Sequence, residues 1–129
     1  MFSPYGFPQK GAVLHIAVKA VPTANVPNIN ACSTTVGEIT LTERDIVLLA
    51  NQTNSAENGV YDVGPENLNT APLKRHSGTD NVAVNGGQVR VCVLGEIDTY
   101  ILTTKTPIII GTTPLVFEKA MPNANVEIT

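Results

Sequence analysis

Nearly a third of the chain is β-branched, with 15 Val, 10 Ile and 15 Thr among its 129 residues. Such side chains are stiff at χ1 and pack well on a pleated sheet. Ten Gly, nine Pro and twelve Asn supply turn residues between short strands. No run of about twelve residues places apolar side chains at helical spacing among strong helix formers. We therefore predict an all-β fold, a single antiparallel β-sandwich or small barrel of about seven or eight short strands.

The distribution of turn residues predicts where the strands lie. A largely apolar run over residues 12–21 predicts a buried first strand, and residues 22–35, rich in Asn and Thr, predict a long surface loop. Further strands are predicted at residues 38–41, 46–49, 59–63, 88–94, 99–103, 107–110 and 115–119. Their spacing of about ten residues favours a sandwich or barrel over a βαβ arrangement, which needs helices. The chain thus divides into an extended N-terminal arm (1–11), a β domain (12–120) and a C-terminal tail (121–129).

The N-terminal arm is predicted to contact another surface. Phe2, Tyr5 and Phe7 are half of the six aromatic residues in the chain, and the arm is too short to form its own core. Their predicted role is therefore partner binding. An alternative is that the arm folds back and covers an edge of the domain's own sheet.

Two apolar patterns assign side chains to faces. In the strand over 88–94, alternation puts Val89, Val91 and Val93 on one face and Cys92 on the other. The run Ile108, Ile109 and Ile110 has no alternation, which indicates a strand buried on both faces, in a sandwich centre or in a subunit interface. We predict that these isoleucines take part in self-association.

Charge and composition argue against several classes of protein. The net charge of -3 and the pI near 5.2 lack the basic field that nucleic-acid binding needs. No apolar run of about 18 residues could span a bilayer, and the first ten residues do not resemble a secretory signal. Cys32 and Cys92 lie far apart in sequence and are predicted to be free thiols. These features predict a soluble protein made in the cytoplasm, without nucleic-acid or membrane partners.

Chemistry-bearing residues are sparse. His76, Ser77 and Asp80 are a possible hydrolase trio, but no nucleophile-elbow motif surrounds the serine, and residues 74–80 are better explained as a polar connection leaving a strand. Gly86 and Gly87 are explained by a tight hairpin turn. The two His and two Cys show no spacing typical of zinc ligands. We therefore predict no enzymatic activity, no metal and no cofactor.

One stretch, residues 42–63, carries two adjoining motifs. The first consists of Asp45, Val47, Leu48, Leu49, Asn51 and Gln52, and the second of Glu57, Asn58, Gly59, Val60, Tyr61 and Val63. Together they resemble a recurrent module of tailed-bacteriophage virion proteins, in which a strand ending in D-x-V-L-x-x-N-Q precedes an E-N-G-V-Y-x-V strand. The resemblance extends over residues 18–119, through segments 75–80, 87–91, 100–104 and 111–117. Tyr100 stands where the family has tryptophan, and Leu73–His76 replaces its W-x-R-A segment.

The conspicuous motif residues have structural interpretations. Asn58-Gly59 favours a type I′ hairpin turn, although a loop with a bulge fits as well. Asn51 and Gln52 are predicted to bond loop backbone through their side-chain amides at a strand end. Tyr61 is predicted to bury its ring in the core and to offer its hydroxyl to a partner at the rim.

The resemblance implies a virion structural protein. In the family the module is usually part of a longer tail protein, whereas here it stands with only a short arm and a short tail, which suits a capsid decoration or cement protein. Such a protein would bind the major capsid protein and form a homo-oligomer, with a trimer favoured. The alternative is a tail or tail-fibre component that contacts tail proteins or binds host glycan through loops 51–58 or 67–80.

Overall fold

The computed structural model describes residues 12–120, which form eleven strands, one α-helix and two short 3-10 helices. The strands are β1 (Val13–Val18), β2 (Cys32–Ser33), β3 (Thr35–Val36), β4 (Ile39–Thr40), β5 (Ile46–Leu49), β6 (Gly59–Val63), β7 (Thr70–Ala71), β8 (Leu73–Arg75), β9 (Gln88–Val93), β10 (Thr99–Leu102) and β11 (Phe117–Ala120). The helix α1 spans Ser77–Val84, and the 3-10 helices span Ile29–Ala31 and Ser55–Glu57. The predicted all-β class is confirmed, and the predicted strands at 46–49 and 59–63 coincide with β5 and β6.

The strands form several open sheets, so the barrel alternative is wrong. A four-stranded sheet has the order β1-β9-β10-β11, a three-stranded sheet has the order β5-β6-β8, and β2-β7 and β3-β4 form two small pairs. All of these pairs are antiparallel except β1 with β9, which run parallel. The prediction of a purely antiparallel fold fails at this pair because the chain returns to β9 through α1, which lets β9 run in the same direction as β1.

The two larger sheets are joined where β1 ends. The backbone nitrogen of Lys19 donates to the oxygen of Ile46, at 2.7 Å, and the nitrogen of Leu48 donates to the oxygen of Ala20, at 3.1 Å. The Lys19 amine also lies 3.2 Å from a carboxylate oxygen of Asp45. The segment after β1 therefore leaves the four-stranded sheet and pairs with β5.

The three-stranded sheet is buried on both faces. Leu48 and Val60 pack into a core shared with the four-stranded sheet and α1, while Val47, Leu49 and Tyr61 pack into a second core on the opposite face. Successive side chains of a strand point to opposite faces, so a strand buried on both faces must be apolar throughout. This arrangement explains why β5 reads Ile-Val-Leu-Leu without alternation.

The four-stranded sheet is buried on one face only. Val89, Val91 and Val93 face the shared core and Cys92 is exposed on the other side, as the alternation predicts. Both cysteines are free, and burial raises the pKa of the Cys32 thiol above its usual value.

The strand predicted at 107–110 does not form. Ile108 is buried in the shared core, Ile109 is 63% exposed and Ile110 is half-buried. The backbone of Ile109 is used in a local turn, where its nitrogen donates to the hydroxyl of Thr113 and its oxygen accepts from the nitrogens of Thr112 and Thr113. These local bonds replace a strand ladder, so the three isoleucines do not share one environment.

The helix α1 lies where the sequence predicts a polar connection. The hydroxyl of Thr79 donates to the backbone oxygen of His76 in its first turn, and Ala83 is buried in the shared core. Gly86 and Gly87 end the helix and do not form a hairpin turn. Gly86 has a φ of 79°, and a Cβ on Gly87 would lie 2.6 Å from a methyl carbon of Val82.

Other predicted boundaries shift by a few residues. The surface loop predicted at 22–35 contains a 3-10 helix and β2, and the predicted strand at 115–119 begins only at Phe117. The arm residues Phe2, Tyr5 and Phe7 and the tail 121–129 lie outside the described residues.

The adjacent residues Ile108 and Ile109 provide a matched test of this core. We expect Ile108→Ala to lower the free energy of unfolding by about 2–5 kcal/mol, because it removes buried apolar volume. Ile109→Ala should change it by less than about 0.5 kcal/mol, because that side chain is largely exposed. Urea denaturation of both variants measures the difference, and equal losses would contradict the assigned environments.

Candidate functional site

Four polar residues of the two motifs, Asn51, Gln52, Glu57 and Asn58, lie in the loop between β5 and β6, at one end of the three-stranded sheet. This loop contains the 3-10 helix Ser55–Glu57, whose first turn is capped by Asn54, which accepts from the nitrogen of Ala56 at 3.1 Å. Gln52 and Asn58 are buried within it although both are polar. Buried polar groups need internal partners, and each of these side chains has them.

Asn58 joins its own loop to a distant segment. Its Oδ1 accepts from the backbone nitrogen of Gln52 at 2.9 Å, and its Nδ2 donates to the backbone oxygen of Leu115 at 2.9 Å. The nitrogen of Leu115 in turn donates to the oxygen of Ser55 at 3.0 Å. Asn58 thereby holds the segment that precedes β11 against the loop.

The predicted type I′ turn at Asn58-Gly59 is wrong, since Asn58 has a φ of -64° and the hairpin closes through the longer loop with its 3-10 helix. Gly59 has a φ of 151°, and a Cβ at this position would lie 2.5 Å from Nη1 of Arg75. The positive φ and the close approach of the arginine both favour glycine here, and a tight turn does not form.

Asn51 and Gln52 hold the long loop that follows β1, as predicted. Gln52 accepts from the nitrogen of Val26 at 2.7 Å and donates to its oxygen at 2.9 Å, so its amide replaces a strand partner. The same Nε2 donates to a carboxylate oxygen of Glu57 at 2.9 Å. Asn51 donates to the backbone oxygen of Pro22 at 3.0 Å. Two adjacent amides therefore fix the path of a loop nearly thirty residues earlier in the chain.

Tyr61 and Arg75 complete the network. The Tyr61 side chain is buried, and its hydroxyl donates to the backbone oxygen of Glu57 at 2.6 Å, so the hydroxyl binds within the chain and not to an external partner. The Arg75 guanidinium lies 5.1 Å from the centre of the tyrosine ring, which is cation-π geometry. Its Nη2 donates to the oxygen of Ala56 at 2.7 Å. Sequence reasoning did not single out Arg75 for this role, and only its place in the 75–80 segment hinted at it.

Arg75 also reaches the helix α1. Its Nη1 lies 3.4 Å from Oδ1 of Asp80 in the first turn of α1. Burial raises the pKa of the Asp80 carboxyl, although the neighbouring Arg75 acts in the opposite direction. Burial likewise raises the pKa of Tyr61. The arginine thus links the loop, the tyrosine ring and α1.

The possible hydrolase trio is not assembled. Nδ1 of His76 lies 2.9 Å from Oδ1 of Asp62, and Asp80 is engaged with Arg75. Both side chains that could serve Ser77 are therefore held by other residues. Within residues 12–120, no three His, Cys, Asp or Glu side chains are grouped to hold a metal ion.

Two grooves lie away from this network. One, of about 440 Å³, lies between the end of α1 and the segment that follows β10, lined by residues 86–88 and 101–106. The Thr104 hydroxyl in its wall donates to the oxygen of Pro114 and accepts from the nitrogen of Val116. The other, of about 250 Å³, is formed by residues 22–27 and 31–37.

The same substitution, Asn to Asp, at two positions of this loop tests the network. Asn58→Asp removes the donor to Leu115 and places a carboxylate beside a backbone oxygen, so we expect a loss of about 1–3 kcal/mol in the free energy of unfolding at pH 7. Asn54→Asp keeps the acceptor that caps the 3-10 helix and should change stability by less than about 0.5 kcal/mol. Thermal and urea denaturation compare the two, and a neutral Asn58→Asp would show that the network is dispensable.

Comparison of the chain with family models, with curated proteins and with solved structures finds no match. The described residues contain no helix that is long and apolar enough to cross a membrane. The geometry of the site shows that the polar motif residues hold separate segments of the domain together.

Proposed function

We propose that this chain is a structural protein of a tailed-bacteriophage virion, and specifically a capsid decoration protein that binds the major capsid protein and stabilises the head. The observation that supports this proposal is the use of the motif residues as an internal framework. Asn51, Gln52, Asn58 and Tyr61 each bond to backbone elsewhere in the domain. The motif residues thus stabilise the fold of the domain. Contacts with other virion proteins would then be made by the outer surface of the domain.

The attachment points of the arm and the tail support binding through the termini. Residues 1–11 precede β1 and residues 121–129 follow β11, and these are the two edge strands of the four-stranded sheet. Phe2, Tyr5 and Phe7 are the proposed contact residues for the capsid, because aromatic side chains supply large contact area at interfaces. We further propose that the protein acts as a homo-oligomer in the virion.

Host-glycan recognition through loop 51–58 has less support. The amides of Asn51, Gln52, Asn54 and Asn58 are all engaged in bonds within the domain. These amides contribute to the fold, which leaves fewer of them to bind a sugar.

Localisation on purified virus particles tests the proposal. Antibody-gold labelling in negative-stain electron microscopy should place the protein evenly over the heads. Label confined to tails or fibre tips would contradict decoration and favour the tail component. Particles without label would contradict a virion role altogether.

A second test concerns the arm. Replacing Phe2, Tyr5 and Phe7 together with Ala should weaken attachment to purified capsids by about tenfold or more, because buried aromatic anchors carry much of the energy of an interface. The matched control replaces Gln9 and Lys10 with Ala in the same arm and should bind like the unaltered protein. Co-sedimentation with capsids measures both. Unchanged binding of the triple variant would show that the arm is not the point of attachment.

A further inference from the structure

The four-stranded sheet has an outer face that the rest of the described chain leaves uncovered. The pairing register places ten side chains there, namely Val13, His15, Ala17, Gln88, Arg90, Cys92, Thr99, Ile101, Glu118 and Ala120. The core and α1 pack on the opposite face, and Val13 is 50% exposed although it is apolar. We call this surface the outer face.

One row of side chains across the outer face is basic on one side of the sheet and acidic on the other. The register aligns His15, Arg90, Ile101 and Glu118 on the four successive strands β1, β9, β10 and β11. The basic side chains therefore lie on β1 and β9, and the acidic side chain lies on β11 at the opposite edge. Arg90 donates to the side-chain oxygen of Gln88 at 3.0 Å. Among residues 12–120, neither Arg90 nor Glu118 forms a salt bridge.

This row is complementary to itself when it is reversed. A two-fold axis that is parallel to the strands and passes between β9 and β10 stacks two copies of the sheet face to face. It sets β1 of one copy over β11 of the second and β9 over β10. His15 then faces Glu118 of the second copy. Arg90 lies one strand away from that carboxylate on one side and one strand away from Arg90 of the second copy on the other, so its long side chain can extend toward the glutamate and away from the like charge. The same contacts repeat on the other side of the axis, as in any isologous interface.

The neighbouring row allows the two sheets to approach. It consists of Ala17, Cys92, Thr99 and Ala120, and reversal sets Ala17 against Ala120 of the second copy and Cys92 against Thr99. All four side chains are small, so the face has no bulky projection here that would hold two sheets beyond the usual spacing of about 10 Å. We propose that the outer face is a self-association surface on which a second copy of this chain docks about this two-fold axis.

The size of the outer face limits the strength of the dimer. Strands about 4.8 Å apart, with outward side chains about 6.8 Å apart along each strand, give ten residues an area of roughly 300 Å². Stable interfaces bury about 800 Å² on each partner. The dimer is therefore weak and is expected only at high protein concentration.

This inference rests on the register and charges of the sheet and not on the proposed role in a virion. If labelling contradicts the virion role, the proposed dimer is unaffected. If the dimer is not observed, the proposed virion role is unaffected. The proposed dimer also differs from the trimer expected of a decoration protein, and it moves self-association away from the isoleucine run, because Ile108 is occupied in the core of its own chain.

Charge exchange tests the arrangement. The full chain at concentrations up to about 1 mM and low salt should show a monomer–dimer equilibrium in sedimentation experiments, and the dimer should weaken as salt is added. Arg90→Glu and Glu118→Arg should each weaken self-association at least tenfold, because each brings like charges together across the axis. An equimolar mixture of the two variants should restore the dimer, because the exchanged side chains at positions 90 and 118 then lie beside opposite charges of the other chain, and only His15 of the Arg90→Glu variant loses its acidic partner. Circular dichroism and melting curves show that both variants are folded.

Cys92 gives a second, independent measurement. The two copies of β9 flank the proposed axis, so their Cys92 thiols lie close enough for a short bismaleimide linker, while Cys32 is buried. Cross-linking should produce a covalent dimer that Cys92→Ser abolishes and Arg90→Glu alone reduces. A monomer at 1 mM, a trimer, a mixture that fails to restore the dimer or a cross-link indifferent to the charges would each overturn the proposal.

Discussion

Val47 and Leu48 are neighbours in one strand, yet they point into two different cores. The three-stranded sheet to which they belong is therefore the central layer of the domain, with the four-stranded sheet and α1 on one face and the shorter strands on the other. At one end of this sheet two polar side chains, those of Gln52 and Asn58, are buried. Those groups must be satisfied internally, because an unpaired buried donor or acceptor costs about 1–3 kcal/mol.

The loop that closes β5 onto β6 meets this requirement with side chains that bond far along the chain. Gln52 bonds Val26, 26 residues away, and Asn58 bonds Leu115, 57 residues away. Arg75 adds a bond to the loop and an ion pair to α1. A motif that is local in sequence thus contacts β8, the loop after β1 and the segment before β11, and Arg75 extends these contacts to α1. This use of the motif supports the proposal that the protein has a structural role, because the polar residues of the motif form bonds within the fold.

The sequence predicts those features that depend on local patterns. The continuous apolar run predicts β5, and alternation around Cys92 predicts which side of β9 is buried. Features that depend on distant partners were missed. Residues 77–84 have weak helix propensity, and α1 is held by tertiary contacts such as the burial of Ala83. The isoleucine run resembles β5 in sequence, but the backbone nitrogen of Ile109 donates to the Thr113 hydroxyl in a local turn. Asn58 is diverted from a tight turn by Leu115, which no short-range signal can reveal.

The geometry of the four-stranded sheet connects the two proposals. A two-fold axis parallel to the strands preserves the direction in which each strand runs, so in the proposed dimer both copies of β1 begin at the same end. The two N-terminal arms are then attached at that end, on opposite sides, and both tails are attached at the other end. A surface that binds one arm raises the effective concentration of the second arm to the millimolar range. If both proposals hold, the two weak contacts reinforce each other, because a capsid that bound both arms would also hold together the outer faces, which separate in dilute solution.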